Sequence, residues 1–192
     1  STLGVTKTMI SDFSYWKRTL ASHAEVLNVK LRQKRWRDES FLKVEQAVMM
    51  SCYIIRKLAE AQKITNERFN AHLPLTAFAA TGKTVDAINN QRVDELYEVD
   101  SGVEISKPLS YIANQLIHSY IFVPVFLLQN QLHAVAFNSD RSKSRELYVL
   151  KLRPFAEALA GCANSVLSGV TYFRLNNGEL EAIPQEGGAS DA

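Results

Sequence analysis

The sequence predicts an α+β fold: helices in the N-terminal third and around a small antiparallel meander sheet, then a C-terminal helix and hairpin. Three observations carry this reading. Two early segments repeat apolar residues every three to four positions, the period of a helix. Residues 108–129, PLSYIANQLIHSYIFVPVFLLQ, switch midway from that period to a continuous β-branched and aromatic run. Near the end, Asn177 and Gly178 stand between two apolar runs, a strong hairpin signal.

The first helix covers 11–28, with Phe13, Trp16, Leu20, Ala24 and Leu27 on one face and Ser11 placed to cap it. Arg18 and His23 lie about 140° apart around its axis and are expected at the surface. Residues 30–37, KLRQKRWR, set Lys30, Arg32, Lys34, Arg35 and Arg37 around Trp36. Basic residues interleaved with an aromatic suit a phosphate backbone with a base stacked on the ring. The alternative is a solvated connection whose Trp36 folds back on the core. The second helix, 38–63, has Asp38 or Ser40 as cap and Phe41, Val44, Val48, Cys52, Ile55 and Leu58 as its stripe. Arg56 lies at the edge of this stripe, where it either reaches to water or points into a site. A short turn capped by Thr65 follows, then an extended segment at 72–80. ATGKT, 80–84, ends like a phosphate-binding loop, but Ala77 stands where that motif needs its first glycine. The acidic stretch 85–100 reads as an exposed loop with one strand at 95–99.

Within 108–129, Leu109, Ile112, Leu116 and Ile117 make one helical stripe. Pro108 suits the first turn and Ser106 the cap. The strand from Tyr120 carries Pro124, which cannot donate to a ladder, so this strand is expected at an edge or bulged. Residues 129–131 make a hairpin turn, 132–137 a second strand, 138–144 a polar connection and 146–152 a third strand. Arg153 and Pro154 open a helix with Phe155, Leu159, Cys162, Val166 and Leu167 as its stripe and Gly169 at its end. Strands at 170–175 and 179–183 flank the Asn-Gly turn. Residues 1–183 form one expected domain and 184–192 a flexible tail.

A chain of 192 residues buries about 70% of its unfolded surface, so it needs no metal or disulfide to fold. Cys52 and Cys162 fall on apolar stripes and read as buried thiols. A net charge of +2 gives no global field toward nucleic acid or membrane. The four histidines are scattered without metal-ligand spacing, and no metal or cofactor is expected. The opening STLGVTKTMISDF lacks the apolar core of a secretory signal, and no apolar run is long enough to cross a bilayer. A cytoplasmic protein without a membrane partner is the expectation.

Two groups of residues carry candidate chemistry. Asn114, His118 and Ser119 sit at the joint between helix and strand; a histidine there can act as acid or base near neutral pH. Ser139, Asp140 and Arg141 lie between the second and third strands, where Arg141 can clamp a phosphate or carboxylate. A hairpin returns its second strand to the start of the first, so both groups are expected at one end of the sheet. Arg56 is a further candidate positive charge. Each group also has a structural reading, His118 bonding the helix end and Asp140 a tight turn.

Residues 113–120, ANQLIHSY, resemble the Arg-Asn-x-x-x-His signature of HEPN domains, helical domains of bacterial conflict systems. Asn114 and His118 match it, and Ala113 stands at the arginine position. The resemblance implies a dimer that cuts RNA without metal, or an inactive binder. More broadly, IRKLAEA, NQLIHSYIF and NSDR resemble a bacterial protein family to which no activity is attached. The expected function is a non-catalytic binding module for a small anionic ligand or RNA, assembled as a homodimer. The alternatives are a structural or protein-interaction protein and a metal-independent ribonuclease with His118 as acid or base.

Overall fold

A computed structural model of the chain describes residues 13–187. In order, these form α1 (Phe13–Arg32), α2 (Asp38–Glu60), α3 (Asn66–Phe69), β1 (His72–Ala79), α4 (Val93–Leu96), β2 (Val103–Pro108) and α5 (Leu109–Ile117). Then come β3 (Ser119–Leu127), β4 (Gln131–Ser139), β5 (Glu146–Lys151), α6 (Leu152–Asn164), β6 (Leu167–Arg174) and β7 (Leu180–Glu186). The α+β class is thus the observed one. Ser11, the expected cap of α1, lies outside the described residues.

The apolar periods explain the packing. Leu20, Ala24, Leu27 and Leu31 form the buried stripe of α1, which packs on α2 and α6. On α2 the buried face runs from Val44 through Cys52 to Leu58 and is widened by Ala47, Ser51 and Ile54, as befits a helix flanked on two sides. Both cysteines are free and buried, and desolvation raises both thiol pKa values, that of Cys162 to about 11. The cap of α2 differs from expectation. Arg37 occupies it without a side-chain bond, and Asp38 and Glu39 fall in the first turn, where their charge favours the helix dipole. Thr65 does cap α3, its Oγ1 accepting from the Arg68 amide at 3.3 Å.

His23 is not the surface residue expected. It is half-buried in the α1–α2 seam, with Nδ1 3.4 Å from Oγ of the fully buried Ser51. Desolvation lowers its pKa, so the folded state binds fewer protons there than the unfolded chain. Its contribution is therefore present above the ordinary histidine pKa of about 6.5 and lost as pH falls below it. Urea midpoints measured on both sides of that value should drop on the acid side, and His23→Gln should flatten the drop.

The sheet is larger than the meander. Its order is β2-β1-β5-β4-β3, with every pair antiparallel. The extended segment at 72–80 joins it as β1, beside β5. The strand expected at 95–99 is instead α4 followed by a single bridge from Tyr97 to Ala80. The true second strand is β2, a half-exposed edge whose alternation is weak because neither face is deeply buried. Ser106 belongs to it and bonds His72 rather than capping α5; Pro108 holds that cap position. β3 is the other edge, with Pro124 opposite Val135 and a register shift just beyond, as its proline required.

Helices α1, α2, α5 and α6 cover one face of the sheet over Leu75, Val135, Phe137, Tyr148 and Leu150. A smaller cluster lies under the segment after β1: Val85, Leu96, Tyr97, Ile121, Ala136 and Leu147. α6 stops at Asn164, short of the expected Gly169. There Ser165 Oγ donates to the Cys162 carbonyl at 2.9 Å and Lys17 donates to the Ser165 carbonyl at 2.6 Å. Val166 is left 71% exposed, and Leu167 and Gly169 belong to β6. β6 and β7 form the expected hairpin, with Gly178 at φ +87° in its turn. β7 runs past Pro184 to Glu186, which pairs with Arg68, so the first residues of the expected tail are strand; 188–192 lie outside the described residues.

Candidate functional site

The end of α5 and the β4–β5 turn meet, as the hairpin argument required. The His118 amide donates to the Asn114 carbonyl at 3.3 Å, closing the helix. The His118 carbonyl then accepts from the Asp140 amide at 3.3 Å, tying the helix end to the turn. Between them lies a cavity of about 380 Å³ lined by Asn114, Gln115, His118, Ser139, Asp140 and Arg141. Five of these six were sequence candidates. Asn114 and His118, four residues apart on one helix, both face solvent at its wall.

The turn is rigidly built. The Ser142 hydroxyl, 1% exposed, accepts from the Ser139 amide at 3.0 Å and donates to Gln115 Oε1 at 3.0 Å. Tyr97, 1% exposed, donates its hydroxyl to the Lys143 carbonyl at 2.7 Å and accepts from the Asn138 amide at 2.7 Å. Burial raises the Tyr97 phenol pKa, so it stays a donor. Asn138 Oδ1 is buried with no partner among the described residues.

The charges sort unequally. Asp140 is bound by Lys143 at 2.7 Å, and the Lys143 ammonium lies 3.7 Å from the centroid of the Tyr120 ring. That partner and its hydrogen bond raise the Lys143 pKa, so it stays charged. Arg141 is exposed and makes no salt bridge among the described residues. With Asp140 neutralised, its guanidinium is the charge left to meet a ligand.

Other candidates stand elsewhere. Ser119 pairs in register with Ser139 but does not line the cavity. Arg56 is not brought to it: its side chain is 45% exposed on α2 and bonded to Glu60 at 3.0 Å. Ala113, at the arginine position of the HEPN-like signature, is 1% exposed and packed in the helical core. Trp36 folds back, its indole donating to the Asn130 carbonyl at 2.9 Å and its ring lying tilted against Phe41 and edge-on to Phe126. Sequence reasoning missed Gln115, Ser142 and Tyr97. Gln115 carried a signal, since it lies three residues before His118 on the same face. Among the described residues no group of His, Cys, Asp and Glu has the arrangement of a metal site. Comparison of the chain with family models, curated proteins and solved structures gives no match.

Proposed function

We propose that the cavity at the α5 end binds a small anionic ligand, a phosphate or carboxylate compound, without turning it over. The observation that carries this is the convergence of Asn114, His118 and the unpaired Arg141 on one hollow of about 380 Å³. That volume suits a small molecule with a few fixed polar contacts. Arg141 supplies a planar, permanently charged fork for the anion. Asn114 and His118 supply further hydrogen bonds beside it.

Specificity would rest with α5 and affinity with the turn. The C-terminal end of α5 works against an anion by about 0.3–1 kcal/mol. A charge-assisted bond from Arg141 contributes about 1.5–3 kcal/mol, so the guanidinium outweighs the helix end. RNA offers the same chemistry in polymeric form, and the HEPN-like residues Asn114 and His118 would meet its backbone here. A thermal-shift series with phosphate, nucleoside monophosphates, dicarboxylates and short RNA tests the reading, because a ligand held only by the folded form raises the midpoint. A rise with one of the small anions is expected. No rise with any of them rules the proposal out, and RNA cleaved in the presence of chelator replaces binding with catalysis.

A further inference from the structure

At the far end of the sheet, the turn between β3 and β4 meets the basic stretch between α1 and α2. β3 and β4 are nine residues each, so this end lies about 27 Å from the cavity just described. Two hydrogen bonds fasten the parts together: Trp36 to the Asn130 carbonyl at 2.9 Å, and Gln131 Nε2 to the Leu31 carbonyl at 3.3 Å. The turn projects two aliphatic side chains. Leu127 is 51% exposed and Leu128 is 91% exposed. Trp36, Phe41 and Phe126 form an open aromatic hollow at their base.

Positive charge surrounds this apolar tip. Lys34, Arg35 and Arg37 are exposed and make no salt bridge among the described residues. On the other side, Lys151 and Arg153 line a second hollow with Gln131 and Leu31, so β5 and α6 add two more cations to the same end. Of the flanking acids, Glu39 is paired with Lys43 and Glu25 with Arg32, while Asp38 is exposed beside Arg37; the cations outnumber it. The sequence totals hide this asymmetry, because a net charge of +2 averages it with acidic stretches elsewhere.

We infer that this end docks on the surface of an anionic phospholipid bilayer. Protruding leucines beside an aromatic, ringed by lysine and arginine, combine the two attractions that hold a protein in the interface: apolar insertion and charge on the headgroups. A nucleic acid would use the cations and leave the leucines in water. The contact lies on the membrane and does not span it; no helix among the described residues is long and apolar enough to cross. The inference is independent of the anion site and leaves that cavity facing away from the bilayer.

Co-sedimentation of the full chain with phosphatidylcholine vesicles, with and without phosphatidylglycerol, tests it. Wild type should pellet only with the anionic vesicles, and added salt should weaken that binding. Leu127→Asp with Leu128→Asp, and separately Lys34→Glu with Arg35→Glu, should each lower the bound fraction by roughly tenfold or more. All four side chains are exposed, and unchanged melting midpoints confirm that the variants fold. Wild type remaining in the supernatant with anionic vesicles overturns the inference. So does a leucine variant that pellets like wild type, since the adhesion is then electrostatic alone.

Discussion

Arg141→Glu is expected to abolish anion stabilisation while leaving the unliganded protein almost untouched. The side chain is exposed and pairs with no described carboxylate, so its replacement should move folding stability by no more than about 0.5 kcal/mol. The effect on binding is far larger. A ligand at a hundred times its dissociation constant stabilises the fold by about 2.7 kcal/mol, and reversing the Arg141 charge removes that. Lys143 cannot compensate, because Asp140 already holds it. The measurement is the melting midpoint with and without the anion, for wild type and variant in parallel. A variant that still shifts like wild type places the ligand elsewhere and ends the case for this cavity.

Tyr97→Phe should destabilise the fold by about 2–4 kcal/mol, much for an exchange of one hydroxyl. The lost oxygen serves two partners. The Lys143 carbonyl loses its donor, and the buried Asn138 amide keeps only the Glu146 carbonyl at 3.2 Å. Each polar group left unpaired in the interior costs about 1–3 kcal/mol. Asn138 Oδ1 is already without a partner among the described residues. Adding Asn138→Leu to Tyr97→Phe therefore removes a burden as well as a partner, and the double variant should regain most of the loss. Urea unfolding of both singles and the double measures this. Equal losses that simply add would mean that the hydroxyl and the amide do not depend on one another. Because Tyr97 also anchors the turn that carries Arg141, the single variant should weaken anion binding more than its stability alone accounts for.

What the sequence disclosed follows from where periodicity is strong. α1 and α2 bury a continuous face, and β3 is an unbroken β-branched and aromatic run, so the apolar pattern gave their existence and most of their limits. The meeting of Asn114 and His118 with Ser139 and Arg141 was legible for a different reason: an antiparallel return leaves little freedom in where its ends fall. β2 was missed because an edge strand with no deeply buried residue has no pattern to show. Tyr97 was placed in a strand over 95–99 inside an acidic, exposed stretch, whereas its large ring is committed to filling the space beneath the turn. Val166 and Leu167 continued the period of α6 by coincidence, and a serine bond to the Cys162 carbonyl ended the helix before them. Arg56 could not be assigned from the chain, since the choice between Glu60 and a cavity depends on which way α2 is turned.

Both margins of the five-stranded sheet resist extension by a foreign strand. On one side Pro124 interrupts the row of amide donors and a bulge follows it; on the other, Glu104 and Lys107 stand on a strand six residues long. Two copies of this chain therefore have no smooth border along the five-stranded sheet on which to zip together, and fibrous growth by strand addition to this sheet is opposed at its starting point.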